Sequence, residues 1–155
     1  SRTPDKLERA VELGLDHPVA GNEDWPERVL EVTGGRGADV ILDLVGGPYL
    51  GGNQRVVAPG GRHIVVGVPG GAVTQIDLRA LMSRRVTLRG TVLRARPVKE
   101  KASLAEAFEA RILPMFSNGE ARPVIERVFA PEEAGEAHTV MAANANFGKL
   151  LIRWY

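Results

Sequence analysis

The stretch GADVILDLVGGPYLGGNQRVVAPGGRHIVVGV, residues Gly37 to Val68, decides the fold. Val40-Ile41-Leu42 and Ile64-Val65-Val66 are unbroken aliphatic runs rather than alternating ones. Such runs mark strands buried on both faces, which means a parallel sheet covered by helices. Parallel neighbours need a crossover, and Pro48 to Ala58 has the length of a short helix. Pro48 suits a first helical turn, and Pro59-Gly60-Gly61 stops the helix and turns the chain. The result is a βαβ unit whose strands run into glycine, at Val45-Gly46-Gly47 and at Gly67-Val68-Pro69-Gly70-Gly71. Ligands of open α/β sheets bind at the carboxyl ends of the strands, where glycine admits a close approach to the backbone. Two readings of these glycines stand: a nucleotide site, or tight strand-to-helix turns and nothing more. No G-x-G-x-x-G phosphate loop follows a strand in this chain.

Composition narrows the function. The 155 residues suffice for one domain with a single core. Lys and Arg number 20 against 19 Asp and Glu, and aromatic residues are few, so a nucleic-acid surface is not expected. The chain has no cysteine, which removes disulfide and thiolate chemistry and fits a reducing cytoplasm. The longest apolar run is far short of a membrane span and no signal peptide precedes the first helix, so no membrane partner is expected. His17, His63 and His138 are too far apart for a ligand set, so no metal is expected.

Taken in order, Thr3 and Pro4 open a helix with Leu7, Ala10 and Val11 on one face and Gly14 as its stop. His17 to Ala20 is a short strand candidate, with Pro18 confining it to an edge. Asp24-Trp25-Pro26-Glu27 reads as a capped helix start that carries Trp25, Val29 and Leu30 inward to Gly34. After the central unit, Asp77 caps a helix through Leu78, Leu81 and Met82. Val86 to Arg94 then alternates as an edge strand does. Leu104, Phe108 and Ile112 line a helix that Pro114 bends or ends. Val124 to Phe129 is a strand, Pro131 opens a helix, and Lys149 to Tyr155 is a closing strand. The expected architecture is α/β, with a Rossmann-type parallel sheet and flanking helices. The expected domains are residues 1–96 and a helix-strand-helix-strand tail, residues 97–155.

The order of elements and the residues on them resemble a known family. The segments are DKLERAVELGLDH (Asp5 to His17), VILDLVGGPYL (Val40 to Leu50), APGGRHIVVG (Ala58 to Gly67), LRGTVLRAR (Leu88 to Arg96), EAHTVMAAN (Glu136 to Asn144) and NFGKLLI (Asn146 to Ile152). Together they resemble the C-terminal half of a zinc-independent medium-chain dehydrogenase/reductase of the quinone oxidoreductase (zeta-crystallin-like) branch. The resemblance implies a cofactor domain incomplete at its N-terminal side, with Ser1 at the end of a second strand. In the 3-2-1-4-5-6 strand order the first strand would lie beside Val40 to Leu44, leaving that edge unpaired here.

The resemblance also implies roles. Ser1, Arg2 and Lys6 follow the second strand, where a basic group selects a 2′-phosphate, so NADP(H) is the expected cofactor. The alternative is that they are ordinary surface groups of a chain end. Val45, Gly46, Gly67, Val68 and Pro69 would line the ribose and nicotinamide, with Leu93 and Arg94 beside the ring. Asn146, Phe147, Gly148 and Lys149 correspond to the late turn that returns to the cleft, and a surface role for Lys149 is equally open. The implied reaction is hydride transfer from NADPH to a quinone or enone, and no catalytic residue is named in this chain. His63 and His138 read as structural, and Asp43 as an acceptor for a ribose or a backbone turn. A homo-oligomer through the 86–94 edge strand is expected. The competing readings are a methyltransferase-like nucleotide domain and a non-catalytic fragment that assembles through its sheet edges.

Overall fold

Strands β1 (Ala38–Asp43) and β2 (Val57–Val65) pair in parallel, with Ile41 opposite His63 and Leu42 opposite Ile64. They belong to a computed structural model that describes residues 1, 3–22 and 24–155 and divides into two units, Ser1–Arg96 and Pro97–Tyr155. The first unit adds helices α1 (Pro4–Glu12) and α2 (Trp25–Val32) before β1, and α3 (Gly47–Val56) as the crossover between the two strands. Helix α4 (Leu78–Arg84) and strand β3 (Thr87–Gly90) complete it. The sheet order is β1-β2-β3, parallel throughout, so β1 and β3 are its edges.

Helix α3 buries Leu50, Asn53, Gln54 and Val56, and the core closes with Val57 and Ala58 at the start of β2. Only one face of the sheet is covered in this way. Val40, Leu42 and Leu44 alternate onto the other face and stay exposed, Leu42 at 68%. The expectation of burial on both faces is therefore corrected for β1: among the described residues no helix lies over that side. The turn at Pro59-Gly60-Gly61 is also inside β2 rather than ahead of it. Ala38 pairs with Val57 and Val40 with Arg62, so the intervening residues of β2 arch out of the ladder.

Other local expectations meet mixed outcomes. Thr3 and Asp24 stand at the starts of α1 and α2 without a side-chain cap bond, whereas Asp77 Oδ1 accepts from the amides of Arg79 and Ala80 at 2.9 and 3.1 Å. Leu78 and Met82 on α4 are exposed. His17 to Ala20 forms no strand. β3 ends at Gly90, short of Arg94. The Thr91 amide still reaches the Val65 carbonyl at 2.9 Å, but Arg96 then folds the chain back, bonding Thr91 Oγ1 at 3.0 Å and the Val92 carbonyl at 3.3 Å.

The second unit is a parallel βαβ element preceded by two helices. These are α5 (Val98–Arg111) and α6 (Leu113–Ser117), which part at Ile112, with Pro114 in the first turn of α6. Strand β4 (Ile125–Phe129), a 3-10 turn at Pro131–Glu133, α7 (Ala134–Ala142) and strand β5 (Lys149–Ile152) follow. Phe129 and Ala137 are its buried centre, and the Arg127 guanidinium lies 4.2 Å from the Phe129 ring centroid. Among the described residues no helix is long and apolar enough to cross a membrane.

Candidate functional site

The carboxyl ends of β1 and β2 leave the sheet as two loops that are laced together. The Gly47 amide donates to the Gly71 carbonyl and the Gly70 amide to the Val45 carbonyl, both at 2.9 Å, and the Val66 amide donates to the Asp43 carbonyl at 2.8 Å. Gly46 sits where the loops touch, at φ 84°, and a Cβ there would lie 2.9 Å from both the Gly71 oxygen and Val68 Cγ1. That position accepts glycine alone, for its backbone and for its neighbours. The glycine-rich strand ends thus serve loop packing directly.

Beneath this turn lies a buried polar cluster. Asp43 Oδ1 accepts from the amides of Val45 and Gly46 at 2.9 and 2.8 Å. Its Oδ2 accepts from Asn53 Nδ2 on α3 at 3.0 Å and meets His63 Nε2 on β2 at 3.1 Å. The shared oxygen assigns the Nε2 proton to His63, which donates it to the carboxylate. Burial by itself would push the Asp43 carboxyl up. The amides of Gly46 and Val45 and the His63 ring outweigh it, and hold the carboxyl below its ordinary value. His63 is structural, as the sequence suggests, and Asp43 accepts from a backbone turn.

Two cavities open along this end of the first unit. One, of about 420 Å³, is lined by Val45, Pro48, Tyr49, Pro69 and Gly70. The other, of about 460 Å³, includes Asn22, Trp25, Pro48, Tyr49 and Arg55. Pro48 and Tyr49 belong to both. Trp25 stacks on Tyr49 with ring centroids 5.5 Å apart, and Arg55 is ion-paired with Glu27. Each space is of the size that holds part of a nucleotide; the first has mainly apolar walls, and the second is mainly polar around the Trp25 and Tyr49 rings. A nicotinamide nucleotide fits such a crevice. Sequence reasoning missed Tyr49 and Trp25, because an aromatic residue at a helix start reads as core until its partner is known.

Of the expected site residues, Val45, Gly46, Gly67, Val68 and Pro69 come together at the strand ends; Val45 and Pro69 line the 420 Å³ cavity, while Gly46 is buried in the loop contact. Ser1 is held by the Val19–Gly21 backbone: its ammonium donates to the Val19 carbonyl at 3.3 Å, and its own carbonyl accepts from Gly21 at 2.7 Å. Lys6 is half-buried on α1, and Arg2 lies outside the described residues. Leu93 and Arg94 stand beyond β3, both exposed. Asn146, Phe147, Gly148 and Lys149 belong to the second unit. There Asn146 Nδ2 donates to the Gly148 carbonyl at 2.7 Å, and the Lys149 amide donates to the Val124 carbonyl at 2.8 Å. This late turn joins β5 to β4.

Comparison with known proteins identifies the segment. Residues 13–152 match the family described as zinc-binding dehydrogenase. Quinone oxidoreductase of Sus scrofa is 28% identical over 130 residues, which cover 83% of this chain and 38% of that protein. The quinone oxidoreductase-like protein 2 homolog of Nematostella vectensis is 28% identical over 150 residues, 96% of this chain and 41% of the relative. A crystal structure of an NAD-dependent alcohol dehydrogenase superposes with a TM-score of 0.82 at 29% identity, covering 100% of this chain and 43% of that one. The chain thus spans less than half the length of these relatives. Among the described residues no three His, Cys, Asp or Glu side chains converge as metal ligands, so they do not fit a zinc ion. The Rossmann-like parallel sheet and the family match together make this chain a member of the zinc-binding dehydrogenase family, within the medium-chain dehydrogenase/reductase superfamily.

Proposed function

We propose that the chain is the larger part of the cofactor domain of an NADPH-dependent quinone oxidoreductase. The reading rests on the parallel β1–β2 pair, whose carboxyl ends open onto the crevice of Val45, Pro48, Tyr49, Pro69 and Gly70. In it Val45, Gly46, Gly67, Val68 and Pro69 hold the nicotinamide-ribose end. Ser1, Arg2 and Lys6 favour a 2′-phosphate, and Leu93 and Arg94 complete the contacts. The nicotinamide supplies a hydride to a quinone or enone, and the protein orients the ring and keeps the cleft dry. Neither zinc nor acid-base chemistry by this chain enters the proposal. The whole protein works in the cytoplasm, which suits a cysteine-free sequence.

A homo-oligomer through the outer edge of β3 belongs to the same reading. Calorimetric titration of the chain with NADPH, NADH and S-adenosylmethionine tests the cofactor assignment. NADPH is expected to bind ahead of NADH and weakly, above about the micromolar range, because no glycine-rich phosphate turn is present. A preference for NADH overturns the 2′-phosphate assignment, and binding of S-adenosylmethionine alone overturns the redox function.

A further inference from the structure

We infer that Asp43 is the positioning residue of the crevice: its carboxylate, aimed by His63 and Asn53, locks the Val45–Gly46 turn into the shape that forms one wall of the nucleotide site. This rests on the cofactor reading above. All four contacts of the carboxylate are donors. Two come from the backbone of the turn itself, at 2.9 and 2.8 Å, and two from the neighbouring elements α3 and β2, at 3.0 and 3.1 Å. Asp43 and His63 are 4% and 2% exposed, so water does not compete for these bonds. Val45, whose own amide is locked, and Pro48, two residues past Gly46, are both wall residues of the 420 Å³ cavity.

The arrangement divides the labour. Asn53 and His63 do not line the 420 Å³ cavity; they fix the carboxylate, and the carboxylate fixes the wall. A carboxylate suits the post because each oxygen accepts two donors, whereas the amide of asparagine offers one accepting oxygen. A crevice wall held by charge-assisted bonds is preorganised, so ligand affinity is not spent on ordering it.

The test measures amide hydrogen exchange by NMR, with NADPH and NADH titrations, on the parent chain, His63→Leu and His63→Gln. Leucine removes the donor and glutamine restores one. In His63→Leu the Val45 and Gly46 amides should exchange about tenfold faster while those of Ile41 and Ile64 in the strands keep the parent rate, and NADPH should bind about tenfold more weakly. His63→Gln should move both readouts back toward the parent. Should His63→Leu fail to fold, Asn53→Leu removes the other donor to the same oxygen and carries the same expectation. Exchange that rises equally in turn and strands, or a turn that keeps its protection, overturns the positioning role even if NADPH still binds. Local loss of protection in a chain whose Val45, Gly46, Gly67, Val68 and Gly70 amides respond to neither nucleotide overturns the cofactor reading and Asp43's part in binding, while leaving the locked turn intact.

Discussion

Asp43 and His63, twenty residues apart in sequence, meet at 3.1 Å between Oδ2 and Nε2 with 2% of each side chain exposed. The pairing follows from register. Ile41 faces His63 and Asp43 faces Val65, so Asp43 and His63 share the helix-covered face of the sheet, one diagonal step apart. Because the carboxyl titrates lower in the folded chain than in the unfolded one, its contribution is complete above the ordinary aspartate value of about 4. It is lost as the pH falls through the folded-state value. Asp43→Asn should therefore lower stability by about 1–3 kcal/mol at neutral pH, and the gap from the parent should narrow in acid. Urea unfolding of both chains between neutral and acid pH checks this; a gap that stays constant defeats it.

Adjacent glycines on α3 should respond in opposite directions. Gly51 has open space where a Cβ would stand, whereas a Cβ on Gly52 would come within 2.3 Å of Trp25 Cζ2. Gly51→Ala should stabilise the chain by about 0.5–1 kcal/mol, through helix propensity and a less flexible unfolded state. Gly52→Ala should destabilise it by about 1–3 kcal/mol and disturb the Trp25–Tyr49 stack. Chemical denaturation followed by tryptophan fluorescence reads both effects.

Gly46→Ala is expected to cost more, about 2–4 kcal/mol, since strain at positive φ adds to collision with Val68 and Gly71. The laced loops should come apart, and NADPH binding should fall with them. Equal melting temperatures for Gly46→Ala and the parent would contradict the geometry.

The edge of β3 fixes which residue can test self-association. Arg89 pairs opposite Ile64 and the Thr91 amide donates to Val65, so the amides of residues 87, 89 and 91 turn toward β2. Those of Leu88 and Gly90 turn outward. Gly90→Pro should remove an outward donor and, on the proposed β3 interface, lower the mass in sedimentation analysis to that of a monomer, whereas Arg89→Pro should damage the chain's own sheet. An unchanged mass for Gly90→Pro would remove β3 as the interface.

The central βαβ unit was legible because its signals are local. Aliphatic runs, a proline at a helix start and glycine at strand ends each act within a few residues. The helix break just ahead of Pro114 and the cap at Asp77 were legible for the same reason. What escaped depends on partners distant in sequence. Nothing near Leu42 says that its side chain meets water, since Val40-Ile41-Leu42 reads alike with one covered face or two. Nor does the alternation from Val86 to Arg94 reveal that Arg96 folds back on Thr91 and ends the ladder early. The donors around Asp43 come from residues 45, 46, 53 and 63, and only the register of β1 on β2 brings them to one carboxylate.

The uncovered side of β1 has a practical consequence for handling the protein. Val40, Leu42 and Leu44 show oil to water on an outermost strand, whose free rim can template another chain. Concentrated samples should grow cloudy, and warming should hasten it. A single lysine at Leu42 would act as a gatekeeper, keeping the sample clear without touching the buried carboxylate one residue away.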